Sequence, residues 1–181
     1  MYRKTWMQVN LDKIERNLIK LKDICQKKII AVLKADAYGC GDIHVARAVL
    51  EAGAEMIAVS SLDEALVLRN EGYSGKLLIL GATEASDIPV LIKQGISCTA
   101  YSNEWVEHAI QQNCEGLHVH LKMDTGMSRI GFRTIDELHL AFDKLQTVKC
   151  NMEGIFTHFC CADSNLELTN LQFSKFKQAV E

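Results

Sequence analysis

The chain has 181 residues, of which 48% are hydrophobic and 24% are charged, and its formal net charge is −3. This composition predicts a globular protein with a real core, and the absence of a basic charge excess argues against nucleic acid as a partner. The sequence contains no run of about 18 apolar residues, and residues 1–10 have no apolar signal core, so we expect a cytoplasmic protein without a membrane segment. Its seven cysteines, without CxxC spacing, are more typical of reduced thiols than of a disulfide framework.

Helices and strands are predicted to alternate along the chain. A first helix begins near Asp12, which we expect to be its N-cap, and an apolar strand follows at 29–33. Ser61 and Glu64 have capping-box spacing at the start of another helix, and Pro89 fits a first helical turn. The remaining predicted strands span 56–59, 76–80, 96–100, 117–123 and 148–156, and the remaining helices span 43–51, 61–72, 87–94, 103–112, 135–145 and 169–180.

This alternation is typical of βαβ units with a parallel sheet. The first strand is not followed by a GxGxxG motif, which argues against a dinucleotide-binding domain. A (β/α)8 barrel needs about 250 residues, so this chain accounts for roughly six of the eight βα units. We therefore expect residues 1–181 to form the N-terminal part of a (β/α)8 TIM-type barrel, truncated inside a helix before the barrel closes.

The most informative segment is AVLKADAYGCG, residues 31–41. The apolar run at residues 29–33 predicts a strand buried on both faces, with Lys34 at its carboxyl end and Tyr38 just beyond. Ligands bind at that edge in parallel α/β folds. A lysine there is expected to be paired or covalently used, as a Schiff-base lysine is. The alternative is a lysine whose side chain simply extends to solvent.

A second segment, HLKMDTGMSRIGF at residues 120–132, also follows a predicted strand. It places Lys122 close to Arg129, and two neighbouring cations need an anion between them or a chemical change to the lysine. The alternative is a solvated turn with a surface lysine and arginine.

A third segment, FTHFCCAD at residues 156–163, ends a strand with His158, which could contact a ring or move protons. A metal site with Cys160 and Asp163 is the alternative, but no further cluster has ligand spacing, so we predict no metal. The adjacent thiols of Cys160 and Cys161 fit redox chemistry or, more simply, half-buried packing.

These three segments resemble bacterial alanine racemases in content, order and separation. The second begins about 90 positions after the first, and TWMQVNLDKIERNL resembles the start of those enzymes. Two departures stand out. Cys40 occupies a position that is usually histidine in the family, and Cys160 and Cys161 replace small residues.

The resemblance implies a site for pyridoxal phosphate. Lys34 would bind the cofactor covalently and act as one catalytic base, and Tyr38 would hydrogen-bond the cofactor phosphate. Arg129 would lie near the phenolic oxygen of the cofactor and the substrate carboxylate, and His158 would pack against the pyridine ring. Lys122 would be carbamylated, which turns a cation into an anion beside Arg129.

The resemblance also implies interconversion of L-alanine and D-alanine, supplying D-alanine for peptidoglycan. The active form would be a homodimer, in which a tyrosine from the C-terminal domain of the partner subunit is the second base. This chain lacks that domain, so alone we expect it to be inactive. A serine or broad-specificity amino-acid racemase, a non-catalytic barrel protein that binds pyridoxal phosphate, and an α/β domain without a cofactor remain alternatives.

Overall fold

The computed structural model describes residues 4–181, so residues 1–3 of the predicted domain 1–181 lie outside the described residues. Helices alternate with strands, except that two helices follow one another between the first and second strands. The chain divides into two compact units, Met1–Leu78 and Ile79–Glu181. The predicted α/β class with parallel strands is confirmed. Within residues 4–181, no helix combines the length and the apolar character needed to cross a membrane.

The first three strands form one sheet, in the order β1 (Ile30–Val32), β2 (Met56–Val59) and β3 (Leu77–Ile79). The boundary between the units falls inside β3. β1 and β2 pair in parallel, with Ile30 opposite Met56. The helices of the first unit are α1 (Leu11–Cys25), α2 (Lys34–Gly39), α3 (Asp42–Glu51) and α4 (Leu62–Asn70).

The second unit contains another three-stranded parallel sheet, in the order β4 (Cys98–Ala100), β5 (His118–Lys122) and β6 (Asn151–Phe156). A shift in the β5–β6 register occurs between Val119 and His120. A short 3-10 helix, Ala85–Asp87, precedes the first of its helices, which are α5 (Ile88–Gln94), α6 (Asn103–Gln111), α7 (Ile135–Thr147) and α8 (Leu166–Val180).

The core of each unit is built on its sheet. All four residues of β2 and all three of β4 are buried. This burial explains why β2 appears in the sequence as a continuous apolar run rather than as an alternating pattern. The predicted range of β2 matches the structure at both ends, and Pro89 lies in the first turn of α5 as predicted.

Two local predictions are wrong. The N-cap of α1 is Asn10, not Asp12, because Asn10 has extended backbone and its side chain accepts a 3.0 Å hydrogen bond from Lys13 N. β1 is not buried on both faces, since Ile30 and Val32 remain 43% and 37% exposed while Ala31 is buried. β1 lies at the edge of its sheet, and only one of its faces is covered.

Candidate functional site

Lys34 follows β1 after one intervening residue, Leu33, and so lies near the carboxyl end of that strand, as the sequence predicts. The preceding residue is tied to the sheet, because Leu33 N donates a 2.8 Å hydrogen bond to Ala58 O. The chain then makes a left-handed helical turn, α2, in which four consecutive residues, Ala35 to Tyr38, have φ between 50° and 58°. Left-handed helix costs L-residues roughly 1–2 kcal/mol each, so this turn persists only if neighbouring groups hold it.

Several hydrogen bonds within the first unit hold the left-handed turn. Ala37 N donates to Leu33 O at 2.9 Å, and Gly41 N donates to the carbonyl of Asp36 at 3.0 Å. The Asp36 carboxylate also accepts a 2.9 Å hydrogen bond from Asp42 N at the start of α3. The turn is thereby joined to the strand before it and to the helix after it.

The Glu64 carboxylate is a third anchor of this turn, and the sequence did not reveal that role. It accepts hydrogen bonds of 2.7 Å from Ala35 N, from Ser60 N and from the Ser60 hydroxyl. Burial alone would raise the pKa of Glu64, but these hydrogen bonds, with one from the Ser61 backbone, hold that pKa below its usual value. Ser61 is the N-cap of α4 as predicted, accepting from Glu64 N.

Lys34 and Tyr38 are close together in the first unit. The Lys34 side chain is half-buried, and its Nζ lies 5.8 Å from the centroid of the Tyr38 ring, as in a cation–π pair. Tyr38 is 66% exposed, so this residue is open to a ligand. The turn therefore presents an amine and a phenol side by side.

Lys122, in the second unit, is the last residue of β5 and is only 3% exposed. Its Nζ lies over the Phe156 ring, 4.6 Å from the centroid. Burial lowers the pKa of Lys122, the charge of Arg129 lowers it further, and Asp124 opposes the change. Arg129 itself is exposed.

The segment after Lys122 folds back on the end of β5. Phe132 N donates to Lys122 O and Asp124 N donates to Phe132 O, both at 2.8 Å. The Asp124 carboxylate accepts hydrogen bonds of 3.0 Å from Gly126 N and Ser128 N, which shapes the turn between them. Because Phe132 is only 2% exposed, the turn that carries Arg129 is fixed to the core of its unit.

His158 follows β6 and is exposed. Its carbonyl accepts a 3.4 Å hydrogen bond from Gln172 Nε2, which also donates to the Thr125 hydroxyl at 3.3 Å. Gln172 is fully buried in α8, and sequence reasoning missed it. The sequence feature that could have revealed Gln172 is its position seven residues before Ala179, which places a polar residue on the buried face of α8.

Over residues 4–181, no group of three or more His, Cys, Asp or Glu side chains could hold a metal ion.

The first unit presents the Lys34 amine and the Tyr38 hydroxyl close together. An amine can condense with an aldehyde, and a hydroxyl can donate a hydrogen bond to an oxygen anion, so this pair suits a ligand that carries both groups. The second unit, taken by itself, presents the guanidinium of Arg129 and the imidazole of His158 on exposed residues.

The lowered pKa of Lys122 predicts a pH dependence of stability. Between that lowered pKa and the unfolded value near 10.4, the unfolded chain binds more protons, so the free energy of unfolding rises with pH. In Lys122→Met this slope is expected to fall by up to about 1.4 kcal/mol per pH unit. Urea denaturation in carbonate-free buffer measures it, with exposed Lys93→Met as the control. Equal slopes in both variants would contradict the prediction.

The chain matches the family profile described as "Alanine racemase, N-terminal domain" over residues 9–181. The alanine racemase of Halalkalibacterium halodurans is 38% identical over 99% of this chain, which covers 48% of that relative. The crystal structure of alanine racemase from Bacillus anthracis with bound L-Ala-P superposes with a TM-score of 0.91 at 35% identity, covering 99% of this chain and 48% of that one. Histidine racemase from Leuconostoc mesenteroides superposes with a TM-score of 0.86 at 30% identity, covering 92% and 46%.

Proposed function

Since this chain belongs to the alanine racemase N-terminal domain family, we propose that it forms the cofactor-binding half of a pyridoxal-phosphate-dependent alanine racemase. The observation that carries the proposal is Lys34, presented beside Tyr38 by a strained left-handed turn at the carboxyl end of β1. Such backbone strain clusters at functional sites. The chain spans about half the length of the curated relatives it matches, so the activity belongs to the whole protein.

In this proposal the Lys34 amine would hold the cofactor at its aldehyde carbon and would act as a base at the substrate Cα. Tyr38 donates its hydroxyl hydrogen to a phosphate oxygen. The chemistry supplied by pyridoxal phosphate would be an electron sink that makes the substrate Cα proton acidic. Lys34 would remove or return that proton on one face. A base on the opposite face, a tyrosine from the partner subunit of a homodimer, would complete the racemisation.

The proposed roles of Arg129 and Lys122 in the second unit depend on the charges of these two side chains. Arg129 offers a planar set of donors to the substrate carboxylate and the cofactor's phenolic oxygen. The lowered pKa of Lys122 leaves more of its amine unprotonated, and that form adds to carbon dioxide, releasing one proton and giving a carbamate. The resulting anion would attract Arg129 instead of repelling it. His158 would pack against the ring of the cofactor.

Alanine is the proposed substrate because the relative from Halalkalibacterium halodurans carries that name, and a different amino acid is the second candidate because a histidine racemase has the same fold. D-Alanine for peptidoglycan would be the product. The seven cysteines, all free thiols, support a reducing compartment such as the cytoplasm.

Reductive trapping tests the proposal directly. The chain is incubated with pyridoxal phosphate, reduced with borohydride, digested and mapped by mass spectrometry. We expect the phosphopyridoxyl group on Lys34 at substoichiometric cofactor, with little on the exposed lysines of helix α1. An unlabelled Lys34, or a label spread over surface lysines, would contradict a Schiff-base role.

A further inference from the structure

Two adjacent thiols follow His158 and have no part in the proposed reaction. Cys160 is exposed and Cys161 is half-buried, and their sulfur atoms lie 3.5 Å apart. The sequence favoured half-buried packing for both, and the exposure of Cys160 does not fit that role. Since Cys160 is exposed and the second sulfur lies next to it, the pair can be reached by an external ligand from the side of Cys160.

The backbone around this pair is well anchored. Gln172 Oε1 accepts a 3.1 Å hydrogen bond from Cys160 N and a 3.3 Å hydrogen bond from Cys160 Sγ. The carbonyl of Cys161 accepts from Ser164 N at 3.1 Å and from Asn165 N at 2.9 Å, just before α8. The two sulfur atoms are therefore presented together by fixed main chain rather than by a loose loop.

Closing a disulfide between these neighbours is geometrically unfavourable. Consecutive Cα atoms across a trans peptide lie about 3.8 Å apart, whereas disulfides usually join Cα atoms about 4.4–6.8 Å apart. None of the described peptide bonds is cis. The sulfur atoms would also have to approach from 3.5 Å to about 2.05 Å. One soft atom bonded to both sulfurs needs much less movement.

A zinc-type site is also excluded within residues 4–181, because no third His, Cys, Asp or Glu joins the pair in a ligand cluster, and structural zinc takes four ligands. The ligand that suits this pair has a soft central atom, which bonds well to sulfur. That atom forms three bonds, of which two go to the cysteine sulfurs and the third to a substituent that it already carries. Trivalent organoarsenic compounds have this chemistry. We propose that Cys160 and Cys161 form a dithiol site that captures a trivalent arsenical.

The capture reaction balances without oxidation or reduction. With phenylarsine oxide, two arsenic–sulfur bonds form, the bonds from arsenic to oxygen break, and the two thiol protons leave with that oxygen as water. Arsenic remains trivalent. The reaction consumes the Cys160 thiol hydrogen, so it removes the hydrogen bond to Gln172, the residue that also binds the carbonyl of His158.

The test is intact-mass spectrometry of the chain with one equivalent of phenylarsine oxide. We expect one phenylarsenic group that survives excess 2-mercaptoethanol and is removed by 2,3-dimercaptopropanol, because only a chelating dithiol competes with a ring. Cys160→Ser and Cys161→Ser should each abolish this monothiol-resistant adduct.

Two matched controls separate this site from other thiols. Cys25→Ser removes an exposed single thiol, and Cys114→Ser removes one member of a buried pair whose sulfurs lie 3.4 Å apart. Both should leave the adduct unchanged. An adduct that persists in Cys160→Ser and Cys161→Ser, disappears in Cys114→Ser, or is stripped by 2-mercaptoethanol would overturn the proposal. The assay needs no pyridoxal phosphate, so its outcome is independent of the proposed racemase function.

Discussion

Glu64→Gln is expected to destabilise the left-handed turn and to weaken cofactor binding. The carboxylate accepts hydrogen bonds from Ala35 N, Ser60 N and the Ser60 hydroxyl, and an amide has only one oxygen with which to replace two. Leaving such donors unsatisfied costs about 1–3 kcal/mol. Because about 1.4 kcal/mol corresponds to a tenfold change in an equilibrium, the dissociation constant for pyridoxal phosphate should rise about tenfold.

The stability difference between wild type and Glu64→Gln is expected to depend on pH in a defined direction. The pKa of Glu64 is lowered in the folded chain, so its contribution to stability is present above the unfolded value near 4.3 and is lost as pH falls through the lowered pKa. The difference between wild type and Glu64→Gln should therefore be full at neutral pH and shrink in acid.

Urea denaturation at several pH values and an absorbance titration with pyridoxal phosphate measure the two effects of Glu64→Gln. Glu71→Gln is the matched control, since Glu71 is an exposed residue at the other end of α4. If both variants lose the same stability, or if Glu64→Gln binds the cofactor as wild type does, Glu64 does not anchor the turn.

Gly131→Ala is expected to have a comparably large effect in the second unit. A Cβ on Gly131 would lie 2.8 Å from both Asp124 N and Lys122 O, which are backbone atoms that cannot rotate away. The same atoms make the hydrogen bonds that hold Phe132 against the end of β5. Overpacking of this kind costs about 1–3 kcal/mol, in addition to the strain of an alanine at φ +125°.

Gly116→Ala separates these two contributions. Gly116 also has positive φ, at +80°, but its added Cβ would meet nothing within 4 Å. Both variants carry conformational strain and only Gly131→Ala has the overlap, so their free energies of unfolding should differ by about 1–3 kcal/mol. Equal losses would show that the turn around Arg129 accommodates a methyl group.

Much of the fold could be predicted because burial leaves a periodic trace in the sequence. The apolar run of β2 gave the correct bounds for that strand, and Pro89 gave the correct start of α5. The edge strand β1 was misjudged, since an apolar sequence does not report whether anything covers its second face. The N-cap of α1 was predicted two residues too late, at Asp12 instead of Asn10. Both residue types are good N-caps, and only the backbone geometry distinguishes them.

The candidate site was predictable where it follows a strand and unpredictable where it depends on distant contacts. Lys34 and Lys122 were singled out because a lysine at the end of an apolar run is unusual. Glu64 and Gln172 were missed as site residues because their partners lie 29 and 47 positions away, in Ala35 and Thr125. The left-handed turn was also missed, since its residues include two alanines, which favour right-handed helix.

The handedness of α2 reverses the usual guidance for protein engineers working on a helix. Alanine is normally the best replacement there and glycine among the worst, but the mirror-image turn has the opposite preference. Consensus or machine-guided redesign that scores residues 35–38 as an ordinary helix would therefore select side chains that work against the geometry presenting Lys34.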